Sequence, residues 1–600
     1  MSLPSRSQLD PSDTWNLESI FPSDDAWEAR YAALAGRLGE LGDYRGRLGE
    51  TAATLAAALR QRDHLLMEVE VVLTYAQLRA AEDESNARYQ AIESRADRLS
   101  ARATAAAAWY EPELLALDPT LLRRFLDEDD GIAVYRYYIE TLLRRRPHVR
   151  SAEVEALLAE STEPLAGFAA NWRALHSADL TFAPVRDERG QTVSLQQNGQ
   201  YAYLTSPDRR VRRNVWERYH DAYLQLSNTF AANYAGEVKR NIFIARSRGY
   251  ASALDAALAA WNTPPEVLHN LLDALDRNIE VWRRYFRVQA RLLGVERLSG
   301  WDLSEQPIAL PGWEPPRFSF AEGVDLILAS LAPMGEEYVG VVRQGIADRW
   351  VDVWPNVGKS SGAFSGGAPG THPFILLNFT GQLGTVSTLT HELGHSMHSF
   401  YAWRSQPEVY AWYGDVVSET ASNLHQVLLA EHILRTSDDP NLRMAVIQER
   451  MGGHLRYLFN MVLLARFEME CYERVERGDA LTADWLIEKM ADLHAEAYGD
   501  TVVLDRARTG IRWATLSHLF LPFYVYSYGA GTAAACAIGR QVIDDGGPAV
   551  ARVLTLFKAG GSMDQHEAIR LGGADLRDPA VYQAAFDTIS GYVDRLEVFV

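Results

Sequence analysis

The sequence predicts a mainly α-helical protein of two or more packed lobes, with a small β-sheet just upstream of a helix carrying His391-Glu392-Leu393-Gly394-His395. Three observations predict it. The 600 residues exceed the roughly 250 to 300 at which one hydrophobic core stops growing. Apolar residues recur at three- and four-residue spacing over most of the chain. The period drops to two only near residues 178–204 and within 301–379.

Residues 23–173 repeat the amphipathic helix pattern among Ala, Leu, Glu and Arg, with turns expected at Pro112, Pro119, Asp127 to Gly131, and Arg144 to Pro147. Both charge runs there read as solvated surface. Next, LTFAPV and QTVSLQQ flank Asp187-Glu188-Arg189-Gly190, a hairpin signal, followed by Tyr201-Ala202-Tyr203. This small sheet marks a boundary, dividing the chain into a helical N-terminal segment, 1–205, and a second segment, 206–600. Ser206-Pro207-Asp208 reads as a helix N-cap with Pro at the first helical position, opening a helical tract to about Leu258. Thr263-Pro264-Pro265-Glu266 reads as a capping box. The second β-rich patch spans 301–379 and contains RWVDVW, the glycine-rich GKSSGAFSGGAPG, and HPFILLNF. Helical texture resumes at about Leu383 and continues to the end.

Composition removes several function classes. With 59 basic and 79 acidic residues, the net charge of −20 repels phosphate backbones, so no nucleic-acid partner is expected. No run of about 18 apolar residues offers a membrane span, and the opening MSLPSRSQLDPSDTW lacks an apolar signal core, which predicts a cytoplasmic protein. Cys471 and Cys536 have no metal-ligand spacing and read as small buried hydrophobes.

The informative motif is His391-Glu392-Leu393-Gly394-His395. On a helix, residues four apart differ by about 40° in azimuth, so both imidazoles face one way and can hold one Zn²⁺. Glu392 projects beside them and can take a proton from a metal-bound water, the HExxH arrangement of zinc peptidases. Catalytic zinc takes three protein ligands and one open position. A His six residues after His395, with Gly at the third, is excluded, because those positions hold Tyr401 and His398. A carboxylate from a following helix remains, and Glu419 in DVVSETASN supplies it. Asp415 reads as the N-cap of that helix, Asn423 as a residue that orients a ligand, and His398 as a hydrogen-bonded structural histidine. Neither a phosphate loop nor a serine nucleophile is indicated: Gly358-Lys359-Ser360 lacks the upstream glycine, and GAFSG does not match GxSxG.

HELGHSMHS, SETAS, KSSGAFSGG, HPFILLNF and HLFLPFYVYSYGAG, with the earlier WNLESIF and QNGQYAYLTSPDRRVRRNVWERY, resemble oligoendopeptidase F, in the thimet oligopeptidase or neurolysin-like M3 superfamily of zinc peptidases. The likeness covers nearly the whole chain. It implies a two-lobed, neurolysin-like zincin fold with a deep central channel that admits short peptides, and an N-terminal oligoendopeptidase domain joined to an M3-type catalytic domain.

A developing oxyanion needs donors opposite the metal. His518, Tyr524, Tyr526 and Tyr528 can donate, and Gly529 and Gly531 would let the segment close over substrate. Family members similarly use a His and Tyr residues from this region. Residues 372–379 are expected to pair an edge with extended substrate, with Gly362, Gly366 and Gly367 permitting close backbone approach. The expected activity is zinc-dependent cleavage of internal bonds in oligopeptides, with Glu392 as general base. Its rivals are a zinc carboxypeptidase or dipeptidyl carboxypeptidase using Arg506, Arg508 or Arg512 for the substrate carboxylate, and a catalytically silent peptide-binding protein.

Overall fold

In the computed structural model the described residues are 3–197, 200–310 and 313–600. Met1 and Ser2 of the opening, Asn198 and Gly199 of QNGQYAY, and Pro311 and Gly312 of the second β-rich patch lie outside them. The protein is 71% helical, which meets the mainly α expectation. Seven short strands occur among the described residues: β1 (Val185–Arg186), β2 (Thr192–Val193), β3 (Leu298–Ser299), β4 (Val351–Asp352), β5 (Phe364–Gly366), β6 (Phe374–Leu376) and β7 (Val502–Val503). No helix of the described residues is long and apolar enough to cross a membrane.

Two compact units form, each from segments distant in sequence, so they group residues differently from a linear division at 205/206. One contains Met1–Pro147, Arg317–Leu429 and Ile538–Gly573; the other contains His148–Pro316, Ala430–Ala537 and Ala574–Val600.

In the first unit, helices Asp24–Arg37, Ala52–Glu82 and Ala87–Ala107 bury Trp27, Leu65, Val72, Tyr75 and Leu99 in one core, joined by Trp15. Ser23, Thr51 and Asn86 cap these helices through their side-chain oxygens. Phe374 and Leu376 of β6 enter the same core, so the N-terminal helices brace the sheet. The strand order is β4-β6-β5, with β6 parallel to β4 and antiparallel to β5. HPFILLNF therefore supplies the central strand, and the expected free edge on residues 372–379 is corrected: both sides of β6 are paired, and β4 and β5 are the edges.

Lys359 of the glycine-rich loop is fully buried beneath this sheet. Its Nζ donates to the carbonyls of Asp352, Trp354 and Leu377 at 3.1, 2.8 and 2.6 Å and pairs with the Asp352 carboxylate at 2.6 Å. Arg6 joins Asp352 to Glu82, which also accepts from Trp15 Nε1 at 2.7 Å.

In the second unit, β1 and β2 form the expected hairpin, with Val185 opposite Val193. Asp187 Oδ1 accepts from the amides of Arg189 and Gln191, and Gly190 takes φ 76° to close the turn. Other local expectations are corrected. Tyr201 to Tyr203 lie in a helix, Gln200–Leu204. The tract to Leu258 is three helices, Arg209–Gln225, Ser227–Ser247 and Ala253–Ala260. The first is capped by Asp208, whose Oδ1 accepts from Arg210 N at 2.8 Å; Ser206 instead bonds Glu188. Helix Pro265–Arg277 has Pro264 at its N-cap position and no side-chain cap, because proline carries no side-chain oxygen to accept from the following amides. The span 301–379 is not uniformly β-rich: helices Phe320–Ser330 and Glu336–Ala347 lie inside it.

Candidate active site

Helix Leu383–Ser405 carries the motif and helix Asp415–Thr436 carries Glu419; the motif and Glu419 both fall in the first unit. Gly394 sets how closely they approach: a Cβ there would stand 2.6 Å from Ala421 O and 2.6 Å from Ser422 Cα. Those neighbours are backbone and cannot swing away, so the glycine inside the motif is a packing requirement. Contact at this point brings Glu419, two residues before Ala421, beside the imidazoles.

His391 Nε2 and His395 Nε2 face each other at 3.1 Å, and Glu419 Oε2 lies 3.8 Å from His391 Nε2. One ligand atom from each residue falls within a 4.8 Å span. Tetrahedral ligands about 2.0 Å from zinc stand about 3.3 Å apart, so this spacing suits one small divalent ion.

The outer ring nitrogens account for the inward orientation of both Nε2 atoms. His391 Nδ1 lies 3.2 Å from Gln426 Oε1, and Gln426 Nε2 donates to Ser387 Oγ at 2.8 Å. An amide oxygen only accepts, so His391 Nδ1 carries the proton and Nε2 presents its lone pair. His395 Nδ1 is 3.0 Å from Ser418 Oγ. Burial, followed by the neighbouring His391, holds the His395 pKa well below the ordinary imidazole value, favouring the neutral, ligating form. Two facing lone pairs beside a carboxylate repel one another unless a cation lies among them, and that donor chemistry is what a metal requires.

Glu392 is buried, and burial, then the charge of Glu419, pushes its pKa up to about 8, against an opposing backbone hydrogen bond from Ser365. A divalent cation held by the three ligands opposes that rise. Ser365 Oγ lies 2.8 Å from Ser396 Oγ, tying edge strand β5 to the motif helix beside Glu392.

Other predicted residues take different places. Asn423 Nδ2 donates to Glu419 O at 2.8 Å and approaches Glu419 Oε2 at 3.3 Å. Asp415 is the first helical residue rather than the cap. His398 is fully buried, its ring nitrogens have no hydrogen-bond partner among the described residues, and its ring stacks 3.6 Å from Tyr413 and 5.2 Å from Phe557, so the expected hydrogen bond is corrected to aromatic packing. Sequence reasoning missed Gln426 and Ser418. The signal was present, since both lie on the Glu419 helix within about two turns of the carboxylate.

In the second unit, His518, Tyr524 and Tyr528 form an aromatic cluster. Tyr528 OH is 3.4 Å from His518 Nε2, and the Tyr524 ring stands 6.3 Å from His518 and 5.5 Å from Tyr528. Tyr457, from the π-helical turn Arg456–Asn460, stacks on Tyr528 at 5.3 Å and was not anticipated. Burial, reinforced by Arg456, keeps the His518 pKa below its ordinary value. Tyr526 points elsewhere: it is buried, with its hydroxyl 3.3 Å from Thr263 Oγ1. Gly529 sits in a tight spot, where a Cβ would meet the Leu271 side chain at 2.8 Å and Tyr457 O at 3.2 Å.

Known proteins share this sequence and fold. Residues 202–588 match peptidase family M3, and residues 113–182 match the oligopeptidase F family. Over 99% of its length the chain is 34% identical to oligopeptidase PepF of Bacillus subtilis, covering 88% of that protein. It is 29% identical to group B oligopeptidase PepB of Streptococcus agalactiae, over 99% of this chain and 98% of that one. A solved structure of a peptidase from Chlamydophila abortus superposes with a TM-score of 0.90 at 28% identity over 100% of both chains. Oligoendopeptidase-F from Enterococcus faecium gives 0.74 at 28% identity, over 96% of this chain and 98% of that one. The chain belongs to peptidase family M3, the metallo-oligopeptidases. Its N-terminal match and its relatives group it with oligoendopeptidase F.

Proposed function

We propose that the protein is a zinc-dependent metalloendopeptidase that cleaves internal bonds of short oligopeptides in the cytoplasm. The observation that carries this reading is the Nε2 pair of His391 and His395 at 3.1 Å, outer nitrogens held by Gln426 and Ser418, with Glu419 alongside. A bound zinc supplies Lewis acidity and a water acidified towards neutrality. His391, His395 and Glu419 would hold the ion, and the Glu392 carboxylate beside them would act as general base, holding a proton at a carboxylate oxygen and delivering it to the leaving amine. Edge strand β5 offers main-chain groups to an extended substrate, giving affinity without strong side-chain demands. The His518 imidazole and the Tyr524 and Tyr528 hydroxyls donate hydrogen bonds to the substrate oxyanion; Tyr526 supports their segment from within the core. Cys471 and Cys536, both buried and unpaired, accord with a reducing compartment.

The carboxypeptidase reading needs a guanidinium free for a terminal carboxylate. Arg506 is already paired with Glu488 and Asp492, and Arg508 with Asp221 and Asp505. Arg512 has no ion pair among the described residues and lies 3.5 Å from His494 Nε2, so the exopeptidase reading rests on Arg512 alone, and cleavage of end-blocked peptides decides it.

The deciding experiment follows an internally quenched peptide of about nine residues, blocked at both ends, by mass spectrometry. Internal cleavage by the native protein is expected. Glu392→Ala retains the metal and loses turnover by a factor of about 10² to 10⁴. An active, metal-loaded Glu392→Ala protein overturns the reading, and cleavage restricted to peptides with a free C-terminus favours the exopeptidase.

A further inference from the structure

Phe523 has φ 52°, in the left-handed region that a bulky side chain rarely occupies. Strain of this kind persists where surrounding groups over-determine it, and it concentrates at functional sites. Phe523 lies in the segment that carries His518, Tyr524 and Tyr528. Successive turns build that segment: Leu521 N donates to His518 O at 3.0 Å, Tyr524 N to Leu521 O at 3.2 Å, and Ser527 N to Tyr524 O at 3.1 Å. The reversal at Phe523 turns the chain between the His518 and Tyr524 rings.

One side chain meets the strained residue's own amide. Phe523 N donates to Glu468 Oε1 at 2.8 Å, and the Phe523 ring packs 4.7 Å from Tyr472. Glu468 belongs to helix Met461–Glu476, is fully buried with Tyr234, Cys471 and Tyr472 nearby, and has no ion pair among the described residues. A carboxyl group without a cation is costly in such a core, and an apolar residue of similar size would fill it without that cost. Its bond to the strained amide accounts for its presence.

We propose that Glu468 is a positioning residue whose buried carboxyl clamps the left-handed turn at Phe523 and so sets the arrangement of His518, Tyr524 and Tyr528. The clamp is a property of the second unit alone. Its effect on turnover rests on the donor role given to that cluster under the proposed function.

The test uses the full-length, metal-loaded protein and hydrogen exchange read on peptides spanning residues 521–528. In the native protein the Phe523 amide exchanges slowly. Glu468→Leu raises exchange across the segment at least tenfold, leaves metal content unchanged, and lowers kcat about tenfold or more with KM within threefold. Glu468→Gln keeps a carbonyl acceptor and restores both exchange and kcat. Native-like exchange in Glu468→Leu overturns the clamp. If that variant does not fold, an unprotected Phe523 amide in the native protein overturns it instead. Loosened exchange with unaltered kcat, together with full activity in Tyr528→Phe, supports the clamp while removing the donor role of the cluster.

Discussion

Gln426 Oε1 lies 3.2 Å from His391 Nδ1 and is held there by the bond from Gln426 Nε2 to Ser387, so a neutral amide fixes the tautomer of a candidate metal ligand. Second-sphere partners of ligating histidines typically contribute 10- to 100-fold in metal affinity. Gln426→Leu is expected to weaken metal binding by about that factor, and Gln426→Glu, which places a charged acceptor on Nδ1, to strengthen it. Chelator competition measures both, and equal affinity in all three proteins would contradict the assignment.

Gly394→Ala drives a methyl into the backbone at Ala421 and Ser422. Overpacking of this kind costs roughly 1 to 3 kcal/mol. It also moves the Glu419 helix off the imidazole pair, so lowered stability in thermal unfolding and a fall in bound metal should appear together.

Lys359→Met leaves Arg6 as the one ion-pair partner of Asp352 among the described residues and removes the Nζ bonds to three carbonyls, of which Asp352 O still accepts from Leu377 N. Removing one partner of a buried ion pair costs about 3 to 5 kcal/mol. The variant should unfold at markedly lower denaturant concentration, while a change at exposed, ion-paired Arg540 should be within about 0.5 kcal/mol.

Burial pushes Glu468 up to about 8, against the bond from Phe523 N, from an ordinary value of 4.5. The folded state then keeps its proton where the unfolded chain has lost it. The resulting stability is fully present below about pH 4.5 and declines as pH rises towards about 8, on the order of 1 kcal/mol per pH unit for one group. Glu468→Gln removes this dependence, so denaturant titrations of the two proteins should converge at low pH and separate with increasing pH.

Much of the site was legible because its information is local. The separation of His391 and His395 by four residues gives a shared helical face whatever surrounds them, and the small, weakly polar stretch around Glu419 marked it as unlike a solvated helix. Helix existence was equally legible from periodicity across residues 23–173. Boundaries were not. The cap fell on Asp208 rather than Ser206, because several adjacent residues can cap and packing selects among them.

The sequence by itself determined the helical class and the shared face of His391 and His395, since each depends on spacing within one element; the candidate carboxylate Glu419 lies on a second helix. Only the tertiary structure decided which strands are the sheet edges, that Gly394 admits the Glu419 helix, that Gln426 and Ser418 orient the imidazoles, and that Glu468 meets the strained Phe523 amide. Those relationships, Gln426 to His391 and Ser418 to His395 included, join residues distant in the chain. They depend on which surfaces come together in packing, and no local period encodes that choice.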